Sequence, residues 1–154
     1  MAWINLSPSA LTRRFSGKAA ADARAVKDQP RAPRILVIDD DGVTRLVLGA
    51  ALRDAGYEVE EVGDGGEGVT AFRARPADLV ITDLVMPQHG GLETVRELRR
   101  SDPKVRILVV SGVIGSSAEH LRTAVRLGAD RVLPKPVNLK ELLAMVNGLL
   151  GRSQ

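Results

Sequence analysis

The fold is decided by the stretch DLVITDLVMPQHGG, residues Asp78–Gly91. It begins with an apolar run, Leu79 to Ile81, which is typical of a strand buried on both faces of a sheet. Asp83 follows, and then Met86-Pro87, where proline lacks an N–H and fixes φ, so that a strand ends and a loop begins. The stretch therefore predicts that Asp83 stands at the carboxyl end of a central strand and points into a loop.

On either side of this stretch, strand patterns alternate with helix patterns. The strand patterns are RILVI (34–38), YEVEEV (57–62), DLVIT (78–82), RILVV (106–110) and RVLP (131–134). Each is followed by a helix pattern, and the first of these places four apolar residues on one face: Val43, Leu46, Val47 and Ala50. Short buried strands joined by crossover helices predict an α/β fold, with a doubly wound parallel sheet of five strands and helices on both faces.

Polar residues stand where helix caps are expected. Asp41 precedes the first helix and Asp64 the second. Ser116 and Glu119 have the spacing of a capping box for the fourth helix. These positions predict where the three helices begin.

Composition and charge exclude several classes of protein. Cysteine is absent, so the chain holds neither a disulfide nor a thiolate metal site, as expected for a cytoplasmic protein. No apolar run approaches the roughly 20 residues of a membrane span. The net charge of +3 divides into +4 for residues 1–33 and −1 for the rest. The body therefore lacks the concentrated basic face of a nucleic-acid-binding domain, and we expect neither nucleic acid nor a membrane as a partner.

The chain divides into three regions by pattern. Residues 1–33 mix Ser, Ala, Arg and Pro without a sustained period, and we interpret them as a disordered leader. The regular patterns fill a domain at 34–150, and 151–154 form a C-terminal stub. Four apolar residues of the leader leave open a short amphipathic segment that docks on the domain or on a partner: Trp3, Leu6, Leu11 and Phe15.

Polar side chains follow four of the five strand patterns. They are Asp39 and Asp40 after the first, Asp83 after the third, Ser111 after the fourth and Lys135 after the fifth. Ligands of parallel sheets bind at the carboxyl ends of the strands. If the first and third strands are neighbours, three carboxylates converge, and they repel one another and resist joint ionisation unless a cation lies among them. Such oxygen ligands suit Mg²⁺, and the lysine and the hydroxyl would then hold the oxygens of a phosphoryl group.

The motifs VIDDD, DLVMP, VVSG and LPKP, in this order and at these spacings, resemble the receiver domain of bacterial two-component response regulators. The resemblance covers about Arg34 to Leu150. It implies the flavodoxin-like strand order 2-1-3-4-5, of which flavodoxin and a chemotaxis receiver are the standard examples. It also implies a domain that accepts a phosphoryl group from a sensor histidine kinase or a histidine phosphotransfer protein.

The resemblance assigns a role to each polar residue at the strand ends. Asp83 would be the phosphoacceptor, and Asp40 and the backbone carbonyl of Val85 would join it on Mg²⁺, with Asp39 acting partly through water. The reaction would be in-line attack of Asp83 on a phosphohistidine, an autocatalysed self-modification without turnover of a separate substrate.

Two further residues complete the implied site. Ser111 would be the switch hydroxyl, and Lys135 the phosphate-binding amine, followed by a cis Lys135-Pro136 bond. Three positions depart from the common pattern of the family: Gly90 replaces an Asp, Val132 an aromatic switch residue, and Val137 a Phe. Val132 cannot swing a ring, so the usual aromatic readout is not expected.

The role of the phosphoryl group leaves several alternatives open. Because only a stub follows the last helix, we expect a stand-alone regulator that signals by contact with a protein target. A phosphorelay intermediate or phosphate sink is the first alternative, and an interaction module that ignores phosphorylation is the second. A weak homodimer also stays open.

A glycine fingerprint offers a competing interpretation. Gly63, Gly65 and Gly68 spell G-x-G-x-x-G after a strand, as in a dinucleotide-binding unit. The strand before that fingerprint must be central and apolar, whereas YEVEEV is half acidic. We therefore reject the dinucleotide site.

Overall fold

The protein alternates strands and helices along the chain, and the computed structural model describes residues 31–112 and 117–152, apart from the side chains of 117, 118, 120 and 121. The described elements are β1 (Arg34–Ile38), α1 (Gly42–Asp54), β2 (Glu58–Val62), α2 (Gly65–Ala74), β3 (Leu79–Asp83), α3 (Gly91–Ser101), β4 (Arg106–Ser111), α4 (Ser117–Leu127), β5 (Arg131–Pro134) and α5 (Leu139–Leu150). All of them belong to the second of the two units into which the chain divides, residues 32–154. Ser116 and the apolar residues of the expected leader lie outside the described residues.

The five strands form one parallel sheet in the order β2-β1-β3-β4-β5, which confirms the expected fold. The register sets the strand ends level with one another. Ile38 at the end of β1 is paired with Thr82 of β3, so Asp39 and Asp83 follow side by side. Ser111 at the end of β4 is paired with Pro134, which brings the next residue, Lys135, to the same edge.

Helices cover both faces of the sheet because the side chains of each strand alternate between two cores. On one face, Leu36, Ile38 and Val80 pack with Phe72 of α2 and Leu98 of α3. On the other face, the intervening strand residues pack with α1 and α5. The members of this second core include Ile35, Val37, Leu79, Ile81, Leu52, Leu142 and Val146. The central strands β1, β3 and β4 are therefore buried on both faces, as their continuous apolar runs predict, whereas the edge strands β2 and β5 are partly exposed.

Helix α1 is oriented differently from what its apolar pattern suggests. Val43, Leu46 and Val47 are 70%, 64% and 46% exposed, and the helix packs on the sheet through Leu48 and Leu52 instead. Apolar residues occupy two sides of this helix, so periodicity alone does not identify the buried side. The consequence is an exposed apolar surface beside the carboxyl edge of the sheet.

Helix starts follow the expected caps where the structure describes them. The Asp41 carboxylate accepts hydrogen bonds from the amides of Val43 and Thr44, and Asp64 caps α2 in the same way. The Thr44 hydroxyl, which donates to Asp41 over 2.6 Å, lowers the pKa of Asp41. Gly90 stands at the N-cap of α3 and supplies no side-chain bond, so this helix start lacks the stabilisation that an Asp at the same position would give.

Candidate functional site

Three carboxylates meet at the carboxyl edge of the sheet. Asp39 follows β1 and Asp83 ends β3, and their exposed fractions are only 2% and 7%. Asp40 is exposed, yet one carboxylate oxygen from each of the three residues lies within 4.8 Å of the others. The sequence predicted this convergence, and the level register of β1 and β3 produces it.

Lys135 joins the two buried carboxylates. Its Nζ lies 2.9 Å from Oδ2 of Asp39 and 3.0 Å from Oδ2 of Asp83. Burial lowers the pKa of Lys135, but the hydrogen bonds to Asp39 and Asp83 outweigh burial and the net pKa is raised. The amine therefore carries its charge throughout the physiological range. The Lys135-Pro136 bond is cis, as the resemblance implied.

Asp39 is fixed by a partner at each of its polar groups. The Asp39 amide donates to the carbonyl of Val62, and the Asp39 carbonyl accepts a 2.6 Å bond from Nη1 of Arg45. The carboxylate accepts from the amide of Asp41 at Oδ1 and from Lys135 at Oδ2. Burial raises the pKa of Asp39, and the bonds from Lys135 and Asp41 oppose that rise.

Ser111 brings an unused hydroxyl to the same edge. It is the last residue of β4 and is 6% exposed. Within the part of the chain that the structure describes, its Oγ has no hydrogen-bond partner. A buried hydroxyl without a partner costs free energy, on the order of 1–3 kcal/mol. The side chain is therefore available to an oxygen-bearing ligand placed beside Asp83.

The loop after β3 holds the Asp83 carboxylate from the other side. The amide of Val85 donates to Oδ1 of Asp83 over 3.2 Å, while the Val85 side chain is 55% exposed. Gly91 packs so closely that a Cβ atom there would overlap the Asp83 carbonyl oxygen. The role of the Val85 carbonyl as a metal ligand stays a prediction.

Val132 lies away from the three carboxylates, on the neighbouring helix-covered face. It is partly buried against the core and lines a cleft of about 740 Å³ with four residues of α4: Glu119, Arg122, Val125 and Arg126. The expectation that Val132 gives no aromatic readout is untested by this geometry and stays a prediction.

The donor set fits Mg²⁺. Carboxylate oxygens are the ligands that this cation prefers, and two or three of them on a partly exposed edge leave room for water and substrate oxygens. Asp40 is open to solvent, so a cation can enter from that side. Lys135 already neutralises part of the charge of Asp39 and Asp83, which reduces the repulsion among the three carboxylates.

Two residues near the site carried no motif signal. Gly91 is the last residue of the central stretch, and its packing on Asp83 requires a glycine. Arg45 follows Asp41 by one helical turn, and that spacing was the only available sign that its side chain returns to the strand end. Neither was singled out as a site residue.

Packing accounts for two glycines of the fingerprint. A Cβ atom at Gly65 would collide with Thr94, and one at Gly68 would collide with Ile38. These glycines let α2 approach α3 and β1 closely, which is a packing role.

No helix among the described residues is long and apolar enough to cross a membrane.

Comparison with known proteins identifies the family. The sequence model of the response regulator receiver domain matches residues 35–147. Response regulator MprA of Mycolicibacterium vanbaalenii is 39% identical over 120 residues, 78% of this chain and 51% of that protein. Its counterpart from Mycobacterium avium strain 104 is 38% identical over 121 residues, 79% of this chain and 52% of that protein. The chain thus spans about half the length of these curated relatives.

Solved structures show the same architecture. The CheY-like receiver domain protein of Methanospirillum hungatei superposes with a TM-score of 0.74 at 28% identity, covering 78% of this chain and 94% of that chain. Chemotaxis protein CheY4 of Vibrio cholerae superposes with a TM-score of 0.71 at 29% identity, covering 77% and 99%. With the family match extending over most of the sequence, the chain belongs to the response regulator receiver domain family.

Proposed function

We propose that the protein accepts a phosphoryl group on Asp83 from a phosphohistidine donor in a Mg²⁺-dependent reaction, and that it signals by contact with another protein. The observation that carries this proposal is the position of the Asp83 carboxylate. It lies 3.0 Å from the Lys135 ammonium and within 4.8 Å of two further carboxylates. An acid held between a fixed cation and a cation site is prepared to receive an anionic group.

The proposed reaction is a single in-line displacement. A carboxylate oxygen of Asp83 forms a bond to phosphorus, and the P–N bond of the phosphohistidine breaks, so that the electron pair leaves with the imidazole ring. Mg²⁺ held by Asp39, Asp40 and Asp83 would neutralise charge on the transferring oxygens. The product is an acyl phosphate on Asp83.

Lys135 and Ser111 would hold the product. Lys135 stays protonated because its pKa is raised, and it would exchange a carboxylate oxygen for a phosphoryl oxygen without changing charge. The buried Ser111 hydroxyl would gain the hydrogen-bond partner that it lacks among the described residues. The Ser111 hydroxyl would thus be bonded in the phosphorylated state and not in the free state, and a conformational switch requires such a difference between its two states.

The donor protein has to dock around this edge of the sheet. The apolar surface of α1, formed by Val43, Leu46 and Val47, is exposed and begins two residues after Asp41. We propose this surface as the contact for a sensor histidine kinase or a histidine phosphotransfer protein. An exposed apolar patch beside a reactive group is typical of a protein-binding surface.

The alternatives differ in the fate of the phosphoryl group. A phosphorelay intermediate or sink would pass it back to a phosphotransfer protein, and a phosphorylation-independent module would never acquire it. The stand-alone role and the cytoplasmic location expected from the sequence remain predictions. The three carboxylates with Lys135 disfavour the interaction module, because that surface role needs no cation site.

The test uses Mg²⁺, acetyl phosphate and intact-mass spectrometry. We expect the wild-type chain to gain one phosphoryl group, and to lose that ability when EDTA replaces Mg²⁺. Asp83→Asn should gain none, since the amide is nearly isosteric but is a poor nucleophile. Asp41→Asn is the matched control, because asparagine also caps a helix and Asp41 only caps α1. Full labelling of Asp83→Asn would place the acceptor elsewhere, and an unlabelled wild type would favour the interaction module.

A further inference from the structure

Arg45 of α1 bonds a backbone carbonyl beside the acidic cluster and, among the described residues, pairs with no carboxylate. Its Nη1 donates to the carbonyl oxygen of Asp39 over 2.6 Å. No ion pair of Arg45 occurs within residues 31–112 and 117–152. Three carboxylates follow the neighbouring strand ends, so Coulomb attraction alone would favour pairing with one of them. The observed bond therefore fixes the backbone at Asp39 and does not neutralise a carboxylate.

The bonded carbonyl belongs to the peptide unit that joins Asp39 to Asp40. Because the peptide group is planar, fixing its oxygen also fixes the direction of the Asp40 amide and of the chain into Asp40. The other polar groups of Asp39 are held by Val62, Asp41 and Lys135. Arg45 is the partner that acts on the Asp40 side of this residue.

Asp40 has no other support among the described residues. Its side chain is exposed, and in that part of the chain it makes neither a hydrogen bond nor an ion pair. Its carboxylate nevertheless stays within 4.8 Å of those of Asp39 and Asp83. We propose that Arg45 is a positioning residue, which fixes the Asp39–Asp40 peptide and thereby places the Asp40 carboxylate for a divalent cation. The inference rests on the proposed function in one respect, that the acidic cluster binds such a cation.

Gly63 gives Arg45 the space that this geometry needs. It follows β2, and a Cβ atom there would lie 3.2 Å from Nη1 of Arg45. An alanine at this position would press on the tip of the guanidinium without removing its charge. Gly63→Ala therefore tests the placement of Arg45 separately from its charge.

The decisive measurement is Mn²⁺ binding by electron paramagnetic resonance, since it needs no phosphoryl transfer. If Arg45 acts only through its charge, Arg45→Met should raise the affinity for Mn²⁺, and if it acts by positioning, the substitution should lower that affinity. Removal of a cation near three acids would tighten binding by Coulomb's law, whereas loss of the peptide anchor would weaken it. We expect binding about tenfold weaker, the effect of losing one hydrogen bond from a charged group. Arg53→Met is the matched control on the same helix and should leave binding unchanged, because Arg53 pairs with Glu61 instead.

Further variants test whether Arg45 acts on the cation through the position of Asp40. Gly63→Ala should weaken binding in the same direction, and Arg45→Lys, which keeps the charge and a donor, should recover part of the affinity. In an Asp40→Ala background, Arg45→Met should have no further effect, because the carboxylate that it positions is gone. Circular dichroism checks that each variant is folded.

The outcomes separate this inference from the proposed function. A wild-type chain that does not bind Mn²⁺ overturns both. Binding by the wild type that is equal or tighter in Arg45→Met overturns the positioning role alone, as does a full Arg45→Met effect in the Asp40→Ala background.

Discussion

Lys135 reaches Asp83 across an intervening strand. Nζ of Lys135 lies 3.0 Å from Oδ2 of Asp83, although β4 separates β5 from β3 in the sheet. The stem of the lysine passes over Gly112, where an ideal Cβ atom would lie 3.4 Å from Cβ and Cδ of Lys135. These are ordinary contact distances, so the lysine stem lies against Gly112 while its amine reaches the carboxylate of another strand.

Lys135→Met should destabilise the protein in a pH-dependent manner. It leaves the buried Asp39 and Asp83 carboxylates without a cation, and we expect a loss on the order of 2 kcal/mol near neutral pH, between the values of exposed and fully buried pairs. The pKa of Lys135 is raised by these partners, so the ion pair contributes stability below the ordinary lysine pKa and loses it only as pH rises through the raised value.

The loss of unfolding free energy in Lys135→Met should also depend on pH in the acidic range. Burial already raises the pKa of Asp39, and removal of Lys135 should raise it further. The variant's deficit should therefore shrink as pH falls and Asp39 takes up a proton. Urea unfolding without Mg²⁺ at neutral and mildly acidic pH measures this, with the exposed Lys140→Met as control. A deficit of equal size at both pH values would contradict the explanation.

Asp40→Ala should separate metal binding from folding. Asp40 is exposed and lies within 4.8 Å of two carboxylates, so its removal relieves repulsion and should raise the Mg²⁺-free stability by less than about 1 kcal/mol. The gain in unfolding free energy on adding Mg²⁺ should fall, because one ligand is lost. Asp54→Ala, at the far end of α1, is the control whose response to Mg²⁺ should match the wild type. A lower Mg²⁺-free stability of Asp40→Ala would argue against carboxylate repulsion.

Much of the fold and most of the site could be predicted from local signals. Short apolar or alternating runs located the strands, and the polar residues after four of the five runs identified the shared edge. The resemblance supplied the strand order. Asp39 and Asp83 then meet because the parallel strands β1 and β3 end level with one another, and the long side chain of Lys135 reaches both from β5.

What the sequence did not predict depends on contacts distant in the chain. The buried side of α1 could not be chosen, because Leu48 and Leu52 compete with an equally apolar surface on the other side. Arg34 was included in an apolar run, yet it is 1% exposed and its guanidinium bonds Glu60 and the carbonyl of Arg75. A long side chain that bonds a distant backbone carbonyl leaves no local pattern, and Arg45 was missed for the same reason.

Leu46→Ser should weaken phosphotransfer from a protein donor without affecting small-molecule labelling. Leu46 is 64% exposed on the apolar surface of α1, so its substitution should leave folding nearly unchanged. Against the phosphohistidine protein that labels the wild type, we expect a rate about tenfold lower, whereas labelling by acetyl phosphate should be equal.

Val125→Ser is the matched control for this surface. Val125 is 55% exposed on α4, which covers a different part of the molecule. An equal loss of phosphotransfer in both variants would show that the effect is not specific to α1. A loss with acetyl phosphate would show that Leu46→Ser disturbs the acceptor site itself.

The last prediction concerns the lifetime of the acyl phosphate. It is lost when a water molecule attacks in line, and a polar side chain has to hold that water. The resemblance places this role two residues after the acceptor and two after the switch hydroxyl, at Val85 and Val113. Val85 is 55% exposed and its amide bonds Oδ1 of Asp83, so this valine is open to water close to the acceptor. Val113 lies outside the described residues.

A valine side chain can neither donate a hydrogen bond to water nor accept one from it, so the attacking position should be occupied by water less often. We expect Val85→Asn and Val113→Glu each to shorten the lifetime, on the order of tenfold, by orienting that water. Loss of radiolabel from the isolated phosphoprotein at constant Mg²⁺ measures the rate, and Val85→Thr, a near-isosteric variant with a shorter polar group, tests whether reach matters. Equal rates in the wild type and in both polar variants would mean that the valines do not set the lifetime. A persistent wild-type phosphoryl group would instead suit a sustained signal, which a partner phosphatase ends by supplying the missing polar group.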